Sequence, residues 1–184
     1  MLNPIDIVNE INDNDLFLRK IRKDDASFIY DSLKHGSVNL YLSLGPLISI
    51  EHSKRLIKSY LKSWDQKTQF TYVIELQSEI KILKIGCVSL WNISWLHKRA
   101  EIGIWLTPDN FNKGFGTTAL NLIKNIGFFH LNLNRLEAHT AIENENSIKL
   151  FEKSGFLKEG LLKEYIKLQD VFHDAYIYSI LKNK

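Results

Sequence analysis

The stretch from residue 100 to residue 119 constrains the fold of this chain more than any other part of the sequence. Apolar side chains alternate with other residues over positions 100–106, and this period of two predicts a strand. Pro108 ends the strand because proline cannot donate a backbone hydrogen bond to a neighbouring strand. From Gly116 onward the spacing predicts a helix. Its expected buried face consists of Ala119, Leu122, Ile123, Ile126 and His130, widened by Leu120 and Phe129.

Two glycines, Gly114 and Gly116, lie where the predicted helix begins. Glycine lets the backbone approach a ligand closely, and the unpaired N–H groups of a first helical turn suit a diphosphate. Lys113 adds a positive charge beside them. The simpler alternative is that the two glycines only form a tight loop. Their position between a strand and a helix favours phosphate binding.

The length and composition predict one globular domain spanning residues 1–184. The net charge of +3 is too small to indicate a nucleic-acid-binding surface. Cys87 is the only cysteine, so we expect no internal disulfide, no cysteine-based metal site and a cytoplasmic location. The chain lacks a basic start followed by an apolar run, and it lacks an apolar run of membrane-spanning length. We therefore expect neither a signal peptide nor a membrane segment.

Hydrophobic spacing predicts the other elements. Two early helices are expected, from about Ala26 through His35 and over residues 49–61, with the break Gly45-Pro46 between them. A further helix follows its N-cap, Asn144, and ends at Gly155. The strand, helix and strand over residues 100–141 favour one parallel pair. The other expected strands are 16–19 with Ile21, 70–76, 81–91, 161–168 and 175–181.

Two parts of the sequence resemble the GNAT superfamily of N-acetyltransferases. Ala100-Glu-Ile-Gly-Ile-Trp-Leu106 and Phe111-Asn-Lys-Gly-Phe-Gly-Thr117 are similar to the family's central strand and acetyl-CoA pyrophosphate loop. Asn144-Glu-Asn-Ser147 and Leu150-Phe-Glu-Lys-Ser-Gly-Phe156 resemble its next helix. The resemblance covers the chain from about Leu16. It implies an α+β fold with a mixed, mostly antiparallel sheet of seven strands, splayed at its centre, and about four helices.

The resemblance implies an enzyme that transfers the acetyl group of acetyl-CoA to a primary amine without a metal. Leu18-Arg19, Asp24-Asp-Ala26 and Asp174 are similar to the subgroup containing the ribosomal-protein Ala and Ser N-terminal acetyltransferases. The expected acceptor is therefore a protein N-terminal α-amine or a small-molecule amine, and the expected state is a monomer or homodimer. The alternatives are a non-catalytic acyl-CoA-binding sensor and, less favoured, a polyamine acetyltransferase.

The resemblance also implies roles for particular residues. Glu101 matches an acidic position on the central strand and is the expected general base, with Glu137 or His139 acting through a water as alternatives. Ser147 is expected to contact the thiol as the second catalytic residue. The implied cofactor-binding residues are Ile104, Trp105, Leu106, Phe111, Asn112, Lys113, Gly114, Phe115, Gly116, Thr117, Asn144, Ser147 and Phe151.

Several positions allow more than one interpretation. Phe151 matches the tyrosine that protonates the thiolate in many relatives, and its ring has no proton to give. The oxyanion is expected to be held by a backbone N–H near Ile104 or Trp105. Asn144 is expected to contact the pantetheine arm, although its spacing to Ser147 also fits plain helix capping.

Three tryptophans, Trp91, Trp95 and Trp105, are candidates for lining an acceptor pocket, although strand aromatics more often belong to a core. The spacing Gly114-x-Gly116-x-x-Ala119 also matches the dinucleotide-binding fingerprint. Residues 108–113 separate the expected strand from the first glycine, which argues against that fold.

Overall fold

The computed structural model describes residues 7–34, 36–42, 44 and 46–182 of the chain. Its helices are α1 (Ala26–Leu33), α2 (Ile50–Asp65), α3 (Phe115–Asn125) and α4 (Glu145–Lys153). Its strands are β1 (Glu10–Asp13), β2 (Leu16–Lys20), β3 (Phe70–Gln77), β4 (Ile82–Ser94), β5 (Arg99–Leu106), β6 (Arg135–Ala141), β7 (Leu157–Leu168) and β8 (Val171–Leu181). Residues 1–6, the expected helix end at His35 and Gly45 of the expected break lie outside the described residues.

Within the described residues, eight strands form one sheet in the order β1-β2-β3-β4-β5-β6-β8-β7. Only β5 and β6 run parallel, so the sheet is mixed and mostly antiparallel, as the sequence predicts. The sheet has one strand more than the seven expected. The additional strand, β1, has the sequence Glu10-Ile-Asn-Asp13, in which a single apolar residue gives no alternating pattern.

The sheet splits between β5 and β6. These strands pair at only three positions, the last of which joins Glu101 to Glu137. Beyond that pair, β5 continues to Leu106 and β6 to Ala141 without further pairing between them in the described structure. The splayed centre that the family resemblance implies is therefore confirmed, and it leaves backbone groups of β5 facing an open cleft.

Helices cover both faces of the sheet and bury two hydrophobic clusters. Helices α3 and α4 pack on one face, in a cluster that includes Leu120. Helices α1 and α2 pack on the other face, in a cluster that includes Ile57. Consecutive side chains of a strand point to opposite faces. On β5, Ile102 therefore belongs to the first cluster, whereas Trp105 packs against the second.

Helix α3 is followed by a π-helical turn, Ile126–His130. The predicted buried face is correct for the regular part of the helix, where Ala119 and Ile123 are fully buried. The wider π turn rotates the following side chains. Phe128 is consequently buried, and Phe129 is 70% exposed. The expectation that Phe129 widens the buried face is wrong for this reason.

Among the described helices, none combines the length and the apolar character that a membrane crossing requires. The same part of the chain contains no group of three or more His, Cys, Asp or Glu side chains arranged to hold a metal ion. Cys87 is buried, and burial raises the pKa of its thiol. A thiol that resists ionisation is a poor nucleophile, and Cys87 packs in the hydrophobic cluster beneath α1 and α2.

Candidate active site

A cavity of about 490 Å³, called the larger cavity below, opens between the end of β5 and the N-termini of α3 and α4. This volume lies in the range of ligand-binding pockets. Of the expected cofactor-binding residues, Lys113 is exposed in the loop, and Phe115 and Phe151 pack into the core instead of lining this cavity. The others line it: Ile104, Trp105, Leu106, Phe111, Asn112, Gly114, Gly116, Thr117, Asn144 and Ser147.

The N-terminus of α3 presents backbone donors to the larger cavity. Its N-cap, Gly114, has a φ of +86°, in the left-handed region that favours glycine, and no atom lies within 4 Å of a Cβ built at this position. The N–H of Thr118 donates the first helical hydrogen bond to the carbonyl oxygen of Gly114 at 3.2 Å. The N–H groups of residues 115–117 therefore have no hydrogen-bond acceptor within the helix. Together with the helix dipole, they suit a phosphate group.

Helix α4 contributes polar groups to the opposite wall. Oδ1 of Asn144 accepts a hydrogen bond from the N–H of Ser147 at 3.2 Å, so Asn144 caps the helix. Both residues also line the larger cavity. Lys149 and Lys153 line it further along α4, where Lys149 pairs with Glu145 at 3.0 Å. These two lysines were not among the binding residues predicted above, although their i, i+4 spacing after the N-cap places them on one helical face.

The split between β5 and β6 exposes one of the two expected oxyanion donors. The N–H of Thr107 donates to the carbonyl oxygen of Ile85, on β4, at 2.8 Å. Successive backbone N–H groups along a strand point alternately to one side and the other. The register between β4 and β5 has no shift over this part of β5, so the alternation continues along it. The N–H of Trp105 therefore points to β4, whereas the N–H of Ile104 points away from β4 into the cleft.

A smaller cavity, about 380 Å³ in volume, lies on the face of the sheet covered by α1 and α2. It meets the larger cavity at Leu42, Ile104 and Trp105, which line both. No Asp, Glu, Lys or Arg side chain belongs to its described wall. The wall consists of Ile29, Leu33, Leu42, Leu44, Leu56, Tyr60, Gln69, Thr71, Cys87, Ser89, Trp91, Gly103, Ile104 and Trp105.

Only two of the three candidate tryptophans therefore line a cavity. Trp91 and Trp105 line the smaller cavity, whereas Trp95 packs against the core and donates from Nε1 to the carbonyl oxygen of Lys67 at 3.1 Å. The turn over residues 38–42 borders the larger cavity, a role that was not predicted for it above. The turn has no alternating or helical pattern that marks it as a binding element.

The predicted base, Glu101, lies beside the smaller cavity but not on its wall. It is 5% exposed, and its carboxylate accepts a hydrogen bond from Nδ2 of Asn92 at 2.5 Å and lies 3.1 Å from Nδ1 of His139. Burial opposes ionisation of Glu101, but these two partners outweigh that effect and lower its pKa. The neighbouring carboxylate of Glu137 is held in ion pairs by Arg99 and Arg135.

Comparisons with known proteins agree with this architecture. The family model for the acetyltransferase (GNAT) domain matches residues 15–157. YoaA, an uncharacterised N-acetyltransferase of Bacillus subtilis, is 30% identical over 167 residues, which cover 91% of this chain and 93% of YoaA.

Two solved structures extend the comparison. The spermidine N-acetyltransferase of Vibrio cholerae, solved in complex with CoA and spermine, superposes with a TM-score of 0.80 at 29% identity over 92% of this chain and 96% of its own. The ribosomal-protein-S5-alanine acetyltransferase of Vibrio fischeri has a TM-score of 0.81 at 24% identity over 95% of this chain and 97% of its own, and it supports the fold alone. The chain therefore belongs to the GNAT family and is an acetyl-CoA-dependent N-acetyltransferase.

Proposed function

We propose that the chain acetylates the α-amine of a protein N-terminus. In this proposal acetyl-CoA occupies the larger cavity and the first residue of the acceptor occupies the smaller one. The observation that carries the proposal is the uncharged wall of the smaller cavity, which meets the larger cavity at Ile104 and Trp105. An apolar wall suits a small, uncharged N-terminal side chain, because a buried charge without a partner is costly.

The ionisation of the acceptor amine supports the same choice. An α-amine has a pKa of about 7.7 to 8.0, against about 10.4 for a lysine side chain, so its deprotonation costs roughly 3.4 kcal/mol less. The lowered pKa of Glu101 makes this carboxylate a weak base. An acceptor that is already partly neutral near pH 7 needs the least help from such a site.

The proposed reaction uses the groups at the cleft. The amine nitrogen attacks the carbonyl carbon of the thioester, and the N–H of Ile104 stabilises the oxyanion, an effect worth about 10²–10³ in rate. The C–S bond then breaks, and its electron pair leaves with the sulfur. Ser147 lines the larger cavity and is placed in the proposal beside the thiolate. The N-terminus of α3, with Lys149 and Lys153, supports binding of the phosphates.

A polyamine acceptor is the second candidate, favoured by the full-length similarity to the Vibrio cholerae spermidine enzyme. A polycation in the smaller cavity calls for carboxylates, and none lies on its described wall. The non-catalytic acyl-CoA sensor considered from the sequence is not favoured, because the family match identifies an N-acetyltransferase.

Thiol release from acetyl-CoA separates these functions. The purified chain is incubated with a peptide that has a free Ala or Ser N-terminus, with a lysine-containing peptide whose N-terminus is blocked, and with spermidine. We expect release with the first peptide at a kcat/KM at least tenfold above the other two. A preference for spermidine would support the polyamine function, and release with none of the three amines would contradict the proposed function.

A further inference from the structure

Glu101 and His139 form a pair that joins the two strands of the split. Oε2 of Glu101 lies 3.1 Å from Nδ1 of His139, and Oε1 accepts the hydrogen bond from Asn92 at 2.5 Å. Both oxygens of Glu101 are therefore engaged with protein groups. Nδ1 of His139 faces Glu101, and Nε2 is the other ring nitrogen. A carboxylate beside Nδ1 favours the tautomer with the proton on Nδ1, in which Nε2 is free to accept a proton.

The register of the parallel strands places His139 across the cleft from Gly103, although its side chain is on the wall of neither cavity. Glu101 pairs with Glu137, so a step of two residues along each strand brings His139 to the level of Gly103, across the cleft. Side chains two residues apart share a face, which puts His139 on the face of the smaller cavity. Gly103 lines that cavity, and the next residue, Ile104, turns its N–H into the cleft.

Charged and titratable side chains of three strands lie around His139. Glu101 faces it from β5, and the ring of Tyr165 on β7 lies 4.7 Å from its ring centre. Glu137, two residues earlier on β6, is neutralised by Arg99 at 3.1 Å and by Arg135 at 2.6 Å. On β8, the residue paired with His139 is the apolar Ile177.

We infer that His139 is the proton acceptor of the acetyl transfer and that Glu101 is a positioning residue that orients its ring. The inference rests on the proposed transfer to an amine. The nitrogen lone pair of the amine forms the N–C bond, and the proton of that nitrogen passes to Nε2 of His139. The C–S bond breaks with its electrons on sulfur, the thiolate takes a proton from water, and the imidazolium returns one to water.

Glu101 is less suited to take the proton itself. Its two oxygens already accept or share hydrogen bonds, and its lowered pKa favours the charged form. A buried carboxylate of this kind stabilises an adjacent imidazolium, as in other carboxylate and histidine pairs that act on a nucleophile. General base catalysis by the imidazole accounts for about 10²–10³ of the rate in this proposal.

The dependence of kcat on pH tests the inference, because imidazole side chains ordinarily titrate between pH 5 and 8 whereas Glu101 is already ionised there. If His139 accepts the proton, log kcat for the wild type rises from pH 5 to 7 with a slope approaching two, since the acceptor amine and the imidazole must both be neutral. His139→Gln lowers kcat about 10²–10³-fold at pH 7.5 and reduces the slope to one, with acetyl-CoA affinity unchanged. Glu101→Gln keeps the steep slope and lowers kcat about tenfold.

The matched control is His130→Gln, at the end of the π-helical turn and on the wall of neither cavity, which leaves kcat unchanged. His139→Gln with a kcat within threefold of wild type, or with the same slope as wild type, overturns the inference. His139→Asn provides a second variant if the first fails to fold, as judged by circular dichroism. A wild type inactive on every amine instead removes the proposed function, and a wild type specific for spermidine allows the same test with that acceptor.

Discussion

A Cβ placed on Gly116 would lie only 3.1 Å from Cδ1 of Leu150. Gly116 belongs to the first turn of α3 and Leu150 to α4, the two helices that border the larger cavity. Because glycine has no side chain, Gly116 permits close packing of these two helices. The sequence suggested that this glycine serves ligand approach, whereas its contact with Leu150 gives it a second, structural reason.

Gly116→Ala is expected to lower the free energy of unfolding by about 1–3 kcal/mol, because the added methyl overpacks the contact with Leu150. The same substitution in a Leu150→Ala background should cost less, since the clash is removed. Urea unfolding of the four proteins measures the coupling. Gly114→Ala is the control, with a cost of about 1–2 kcal/mol from its left-handed backbone that does not depend on residue 150. Equal costs of Gly116→Ala in both backgrounds would exclude the packing account.

Gly114→Asn tests the placement of the cofactor. Asparagine tolerates the left-handed backbone of Gly114, so the fold should persist, but its side chain enters the space beside the N-terminus of α3. We expect calorimetry to show at least tenfold weaker acetyl-CoA binding. Gly155→Asn is the matched control, because Gly155 has a similar φ of +85° at the opposite end of α4. A folded Gly114→Asn protein with wild-type affinity would refute the assignment of the phosphate site.

Phe151→Tyr tests whether the chain lacks an acid that it needs. Phe151 is 3% exposed and packs against Phe156 and Tyr178, at ring-centre distances of 5.2 and 6.2 Å. The thiolate of CoA is a tolerable leaving group, since thiols ionise near a pKa of about 8.5. We expect kcat to rise by less than about threefold and stability to fall by about 1–3 kcal/mol, the cost of an added buried hydroxyl.

Phe151→Leu should lower kcat only through altered packing, and Phe156→Tyr is the control for burying a hydroxyl in the same cluster. Steady-state thiol release supplies kcat for each variant. A gain of about a hundredfold in Phe151→Tyr would show that a general acid is missing. That result would show that protonation of the thiolate limits the rate of the natural chain.

Asp25→Asn is expected to remove up to about 3–5 kcal/mol of stability at pH 7, because it removes one of the two carboxylates that pair with the buried cation Arg19; the other is Glu75. Asp25 is fully buried and accepts hydrogen bonds from Arg19 at 2.9 and 3.0 Å, and Nζ of Lys84 lies 2.6 Å away. Burial raises the pKa of Asp25, but these cations outweigh it and the net shift is downward. The exposed neighbour, Asp24, supplies the control Asp24→Asn.

The sign of the pH dependence follows from that lowered pKa. A carboxyl with a depressed folded-state pKa stabilises the fold fully above its unfolded pKa of about 3.9, and this contribution is lost as pH falls through the lower folded value. The stability difference between wild type and Asp25→Asn should therefore shrink below about pH 4. Urea unfolding at a series of pH values measures it. A difference that stays constant down to pH 2 would show that the charge of Asp25 is unimportant.

The sequence predicts those features that depend on neighbouring residues. Alternation, Pro108 and the glycine pair are local signals, and β5, the loop and α3 follow from them. The pairing of Glu101 with His139 joins positions 38 residues apart and depends on where β5 and β6 separate, which no local pattern encodes. The uncharged wall of the smaller cavity likewise combines segments that are far apart in the chain, and no local pattern marks the π turn that exposes Phe129.

Competition between acceptors tests the central claim most directly. The chain is incubated with acetyl-CoA and equimolar amounts of two acceptors. One is a peptide that begins with Ala or Ser and also contains lysine, and the other is spermidine. Tandem mass spectrometry locates the acetyl group. The uncharged wall of the smaller cavity predicts acetylation of the peptide α-nitrogen in preference to the lysine side chain and to spermidine. Acetyl found predominantly on spermidine or on the lysine side chain would contradict the account.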